Sequence, residues 1–253
     1  MSKLAKTSSF SQKHPIWSVV IIEVLLLVAV TAAGAYATIK ELAYNAPVLI
    51  SFIPIALVLI IYFTVKRKWS TLGFRPLNTI SSGNWIYYAP LVVVLITISF
   101  KGFREISASE VLFFIFFTLL VAFVEESIYR GLIFKTLLPK GAKTAVITSS
   151  ILFSITHLLN ALSGTDITQT LLQLVYALLI GFALALLMLK NNNILPLISF
   201  HFIHNLIQFV GNDNTSEYMG IDLFILLVLA VQCVWLVLSF RKPNLTKNLN
   251  QAS

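Results

Sequence analysis

The chain has 253 residues, of which 58% are hydrophobic and only 11% charged. A soluble domain carries about 25% charged residues, so this chain has too little polar surface for a water-exposed globule and too much apolar surface to stay unfolded. The single cysteine, Cys233, excludes a disulfide framework and a cysteine-ligated metal cluster. The net charge of +8 is scattered between apolar runs, a pattern of membrane orientation rather than of nucleic-acid binding.

A helix needs about 20 apolar residues to cross a hydrocarbon core of roughly 30 Å. Eight runs approach this length: 16–39, 46–65, 85–101, 109–134, 145–162, 169–189, 194–210 and 221–240. The expected fold is all-α, a polytopic helical bundle in the membrane. The runs are continuous rather than alternating, which argues against a β-barrel. The first is too long for a secretory signal core. The longest connector, around 66–84, contains Gly73, Pro76 and Gly83. Three regions follow: N-terminal helices and connector over 1–108, a core over 109–210, and a last helix with its tail over 211–253.

The basic residues alternate between faces. Fourteen flank the spans on one side: Lys3, Lys6, Lys13, Lys66, Arg67, Lys68, Arg75, Lys135, Lys140, Lys143, Lys190, Arg241, Lys242 and Lys247. Three, Lys40, Lys101 and Arg104, flank them on the other. Positive loops stay cytoplasmic, so both termini are expected there.

Polar residues inside the runs need a reason, because a charge at the bilayer centre costs about 2.5–3.5 kcal/mol. Glu23 stands alone in the first run and reads as a residue near the interface or against a neighbouring helix. The fourth run contains Glu125, Glu126 and Arg130. Glu126 and Arg130 are four apart and share a helical face, whereas Glu125 is turned about 100° away. His157 lies in the fifth run, and His201, His204 and Asn205 lie in the seventh. His201 and Asn205 again share a face. Three histidines, an asparagine and two glutamates on apolar helices supply a base, hydrogen-bond donors and possible metal ligands.

Glu125-Glu126-x-x-x-Arg130, then Phe153-x-x-x-His157, then His201-x-x-x-Asn205, on successive helices in that order, resembles the CAAX-protease and bacteriocin-processing (CPBP, or Abi) family of intramembrane proteases. The resemblance covers roughly 109–210, and the Leu72-Gly73-Phe74-Arg75 segment is also similar to family members. It implies an intramembrane protease with Glu125, Glu126, His157, His201 and Asn205 in the active site and Arg130 in support. In that scheme Glu125 and His157 position and deprotonate a water, His201 and Asn205 bind the oxyanion, and Glu126 and Arg130 brace the site. The family gives His204 no role. A rival mechanism uses zinc held by Glu125, His157 and His201. The sequence lacks His-Glu-x-x-His, and Asn205 suits an oxyanion hole better than a zinc shell, so the metal-free version is favoured.

The resemblance implies a peptide or membrane-anchored protein as substrate, with the lipid bilayer as partner and no nucleic acid. Short loops suggest a bacterial plasma membrane. Two other classes compete: a bacteriocin-immunity or scaffold protein that binds without catalysis, and a transporter. The protease reading requires Glu125, His157, His201 and Asn205 to surround one water-sized space, with His201 and Asn205 facing Glu125 from the opposite side and His204 at the rim or turned to a neighbouring helix. Rise along the helices places Glu125 and His201 in the cytoplasmic half. His157 comes out higher, as if the fifth run began later than its apolar edge.

Overall fold

The computed structural model describes residues 10–158, 167–212 and 219–241. A single turn, α1 (Phe10–Lys13), leads into α2 (Pro15–Ile39) and α3 (Ala46–Val65). A 3-10 segment, Ser82–Tyr88, then enters α4 (Ala89–Ser99). Helix α5 (Ala108–Glu126) passes through a π turn (Ser127–Ile133) into α6 (Phe134–Leu137) and a final 3-10 turn, Leu138–Lys140. The remaining helices are α7 (Ala142–Thr156), α8 (Ile167–Asn191), α9 (Leu195–Val210) and α10 (Met219–Ser239). Among the described residues the extended structure amounts to one antiparallel bridge, Phe103 with Gly211.

Local chemistry sets several boundaries. Proline stands in the first turn of α2, α3, α4 and α9, where its missing N–H costs no helical hydrogen bond. Ser107 and Glu110 close a capping box at the start of α5. Gly141, at φ +121°, makes the turn from Lys140 into α7.

All eight expected runs are helical. Six helical segments are long and apolar enough to cross a membrane: Pro15–Ile39, Ala46–Val65, Ser82–Ser99, Ala108–Lys140, Thr170–Asn191 and Met219–Ser239. Helices α7 and α9 are apolar but shorter, at 15 and 16 residues. The protein is an integral membrane helical bundle. Two boundaries depart from expectation. The fourth run continues as helix to Lys140 instead of stopping at 134, and the fifth begins at Ala142 rather than at 145 or later. Residues 159–162 of the expected fifth run and both chain termini lie outside the described residues.

The bundle has an inside and a lipid side. In the most apolar 18-residue window, 56% of residues are buried within Ala108–Lys140 and 50% within Thr170–Asn191, against 28% in α2 and 22% in α10. The outer helices expose Trp17, Leu25, Val28, Leu57, Val58, Leu227 and Val231, which only lipid can cover. Helices α7 and α8 approach closely: a Cβ on Gly181 would stand 3.2 Å from the Ser150 backbone, the small-residue contact by which membrane helices pack. Glu23 is buried and faces the bundle rather than a surface, with its carboxylate toward Tyr129.

Loops gather at two ends, as the charge alternation requires. At one end, Lys101 pairs with Asp222 at 2.6 Å, Arg104 N–H donates to the Val210 carbonyl, and Asn212 N–H donates to that of Gly102. At the other, Lys135 bonds Asn192, Lys190 donates to Ser239, and Asn84 donates to Asn191. The connector is built into this second end. Buried Asn193 donates to the Arg75 and Pro76 carbonyls and to Thr79, and Ile194 N–H donates to the Gly73 carbonyl. Gly73 is at φ +99°, and a Cβ there would stand 2.5 Å from the Met188 methyl. The 66–84 segment therefore lies against the start of α9 and holds it inside the bundle.

Candidate active site

The extension of α5 to Lys140 decides how the polar residues meet. Glu125 is fifteen residues before Lys140, His157 fifteen after Ala142, and Tyr176 fifteen before Asn191. Each stands about 22 Å above the same end of the bundle at 1.5 Å per residue. His201, six residues into α9, meets this level directly, with Nε2 3.6 Å from Glu125. The mismatch for His157 is resolved by a longer fourth helix rather than by a later fifth one.

Glu125, His157, His201 and Asn205, drawn from α5, the end of α7, and α9, line one cavity of about 430 Å³. His201 Nε2 lies 3.6 Å from a Glu125 oxygen. The cavity runs from Glu125 toward the start of α5 and the end of α9, past Val121, Phe117, Gln208 and Phe209. That is the end carrying Lys101, Arg104 and Asp222.

Beneath the cavity floor is a fully buried ion pair. Arg130 Nη1 donates to Glu126 at 2.9 Å, and both side chains are wholly inaccessible. The same Glu126 oxygen is 2.9 Å from His201 Nδ1. A carboxylate oxygen only accepts, so Nδ1 carries a proton and Nε2 is the atom presented to Glu125. Arg130 also donates to the Gly181 carbonyl at 3.4 Å and sits over the Phe153 ring at 4.3 Å. Phe153 in turn meets the rings of Tyr129, His157 and His201 edge-on. The motif phenylalanine is thus the hub that spaces the polar groups.

The remaining donors are similarly fixed. His157 Nδ1 is 2.9 Å from the Phe153 carbonyl. A carbonyl cannot donate, so neutral His157 keeps its proton on Nδ1 and its lone pair on Nε2. The π turn begins directly after the paired glutamates. Such turns re-aim side chains within a helix and are frequent at functional sites.

The structure departs from the sequence-based arrangement at one position. His201 adjoins Glu125 instead of facing it across the cavity, because Glu126 draws its Nδ1 toward α5. Of the two places expected for His204 it takes the second: it is buried and turned to the neighbouring α8, 2.5 Å from the Tyr176 hydroxyl, while it also lines the cavity. Sequence reasoning missed Tyr129, Thr156, Gln173 and Tyr176 as lining residues. Tyr129 had a signal, since it is four residues after Glu125 and shares its face. For zinc, no three His, Cys, Asp or Glu side chains among the described residues form a group that could hold a metal ion. Glu125, His157 and His201 share the cavity without converging as ligands.

Residues 107–207 match the family model of Rce1-like type II CAAX prenyl endopeptidases. The match coincides with the helices that carry Glu125, His157, His201 and Asn205, and it bears out the resemblance to the CPBP family read from their motifs. No curated protein and no solved structure matches the chain significantly. The family implies a protease embedded in the membrane.

Proposed function

We propose that this protein is an intramembrane endopeptidase that hydrolyses a peptide bond of a membrane-associated peptide or protein in the plasma membrane of a bacterium. The observation that carries the reading is the convergence of four motif residues from three helices on one cavity, with Glu125 3.6 Å from His201. Hydrolysis needs an activated water, a stabilised oxyanion and a proton for the leaving amine.

Glu125 is the general base. It takes one proton from a water held also by His157 Nε2, and the resulting hydroxide attacks the scissile carbonyl. The tetrahedral oxyanion receives hydrogen bonds from Asn205 Nδ2 and from protonated His201 Nε2. Glu126 holds His201 through Nδ1 and fixes the direction of its ring, as the carboxylate of a catalytic triad does for its histidine. The proton on Glu125 then passes to the departing amine as the C–N bond breaks, which regenerates the carboxylate. Arg130 pairs with Glu126 from below, where both side chains are wholly buried. The carboxylate, the two imidazoles and the amide supply the base, the oxyanion donors and the proton for the leaving amine.

The test is cleavage of a library of lipid-anchored, internally quenched peptides by the purified protein in proteoliposomes. Glu125→Gln is nearly isosteric and should lower turnover by at least about 10²- to 10⁴-fold, the contribution of a general base, with the protein still folded. A folded Glu125→Gln variant with full biological effect would instead mark a binding or immunity protein.

A further inference from the structure

His204 lines the cavity, yet it takes no part in activating water or binding the oxyanion. Its surroundings are nevertheless fully specified. On one side Nε2 lies 2.5 Å from the Tyr176 hydroxyl, with the two rings stacked at a centroid distance of 5.3 Å. On the other side Nδ1 lies 3.2 Å from Asn205 Oδ1. An amide oxygen has no proton, so Nδ1–H must be the donor in that bond. A neutral imidazole protonated at Nδ1 has its lone pair on Nε2, and the Tyr176 hydroxyl is therefore the donor to it. Each proton in the chain has one place, and each bond points from Tyr176 through His204 to Asn205.

This direction matters for Asn205. A side-chain amide has two faces, a carbonyl that accepts and an NH₂ that donates, and a half-turn of its last torsion exchanges them. Only the NH₂ can stabilise an oxyanion. With Oδ1 held by His204 Nδ1–H, Nδ2 is turned the other way. Among the described residues Nδ2 has no protein acceptor, while Asn205 itself lines the cavity. A donor that is aimed, unpaired and next to the cavity is available to charge that develops there, and it need not reorient during the reaction.

We propose that Tyr176, His204 and Asn205 form a positioning relay in which Tyr176 fixes the tautomer of His204 and His204 fixes the orientation of the Asn205 amide. The proposal rests on the reading of Asn205 as an oxyanion donor. His204 is a positioning residue, since it acts on the substrate only through Asn205. The relay also explains a buried histidine on α9 whose ring is turned to α8, a choice that packing alone would fill better with leucine.

The experiment measures kcat and KM with one quenched lipid-anchored peptide, together with the melting temperature, for six forms: wild type, His204→Ala, His204→Gln, Tyr176→Phe, Asn205→Ala, and His204→Ala with Asn205→Ala. Loss of one oxyanion donor lowers kcat about 10²- to 10³-fold, which is the expectation for Asn205→Ala. Loss of its orienting hydrogen bond should lower kcat about 2- to 10-fold with KM unchanged. That is the expectation for His204→Ala, and a smaller loss is expected for Tyr176→Phe, which keeps the ring. His204→Gln offers both a donor and an acceptor and should restore kcat to within about twofold of wild type. In the Asn205→Ala background, removing His204 should cost nothing further.

Wild-type kcat in both His204→Ala and Tyr176→Phe would overturn the relay while leaving the protease reading intact, as would an undiminished His204 effect in the Asn205→Ala background. Wild-type kcat in Asn205→Ala would overturn the oxyanion role itself, and the relay with it. If His204→Ala does not fold, the Gln and Phe variants decide the matter by the same criteria.

Discussion

Arg130 is the position where stability and activity separate most cleanly. Its guanidinium is wholly buried, paired with Glu126 at 2.9 Å, bonded to the Gly181 carbonyl and stacked on Phe153 at 4.3 Å. Arg130→Ala would leave the Glu126 carboxylate inaccessible, with only His201 to share its charge. Breaking a buried pair from one side costs about 3–5 kcal/mol. Loss of the desolvated cation–π contact adds about 2 kcal/mol. For a chain of this size each kcal/mol shifts the melting temperature by about 2–4 °C, so the combined loss of about 5–7 kcal/mol should lower it by at least about 10 °C.

A second variant isolates the cause. Replacing both partners, Glu126→Gln with Arg130→Met, removes the unpaired charge and keeps the volume, so it should recover at least half of the lost stability. It should not recover turnover, because His201 then lacks the carboxylate that holds it. The assay is thermal unfolding of the purified protein in detergent beside peptide cleavage in proteoliposomes. An Arg130→Ala protein that melts with the wild type, or a double variant no more stable than the single one, would refute the reasoning.

Three further outcomes are expected. Asn193→Ala removes the donor to the Arg75 and Pro76 carbonyls and to Thr79; it should cost about 1–3 kcal/mol in unfolding assays and lower turnover, because the connector no longer seats α9 at the height of Glu125. Reporter fusions at Ser2 and Ser253 should both read cytoplasmic, by the split of fourteen basic residues against three, and Gln208→Cys, in the cavity near the opposite end, should react with an impermeant maleimide added outside intact cells. Termini on opposite faces would remove one span, and labelling of Gln208→Cys only after lysis would reverse the direction of access.

Composition alone determined that this chain lives in a bilayer as a bundle of helices, because 58% hydrophobic residues in continuous runs admit no other folded state. Spacing in the sequence also paired Glu126 with Arg130, since a four-residue interval is a contact on any helix, and the motifs' resemblance to the CPBP family marked Glu125, Glu126, His157, His201 and Asn205 as one set. What the sequence could not contain was height. Whether Glu125, His157 and His201 share a level depends on where α5 ends and on what lies against the start of α9, and both are settled by contacts between segments far apart in the chain: Lys135 with Asn192, and Asn193 with Arg75, Pro76 and Thr79. Nor could it contain the partners of single atoms. That Glu126 is shared between Arg130 and His201, and that His204 stands between Tyr176 and Asn205, follows from the approach of α5 to α9 and of α8 to α9. Helical periodicity reports which face a residue takes; only packing decides what meets that face.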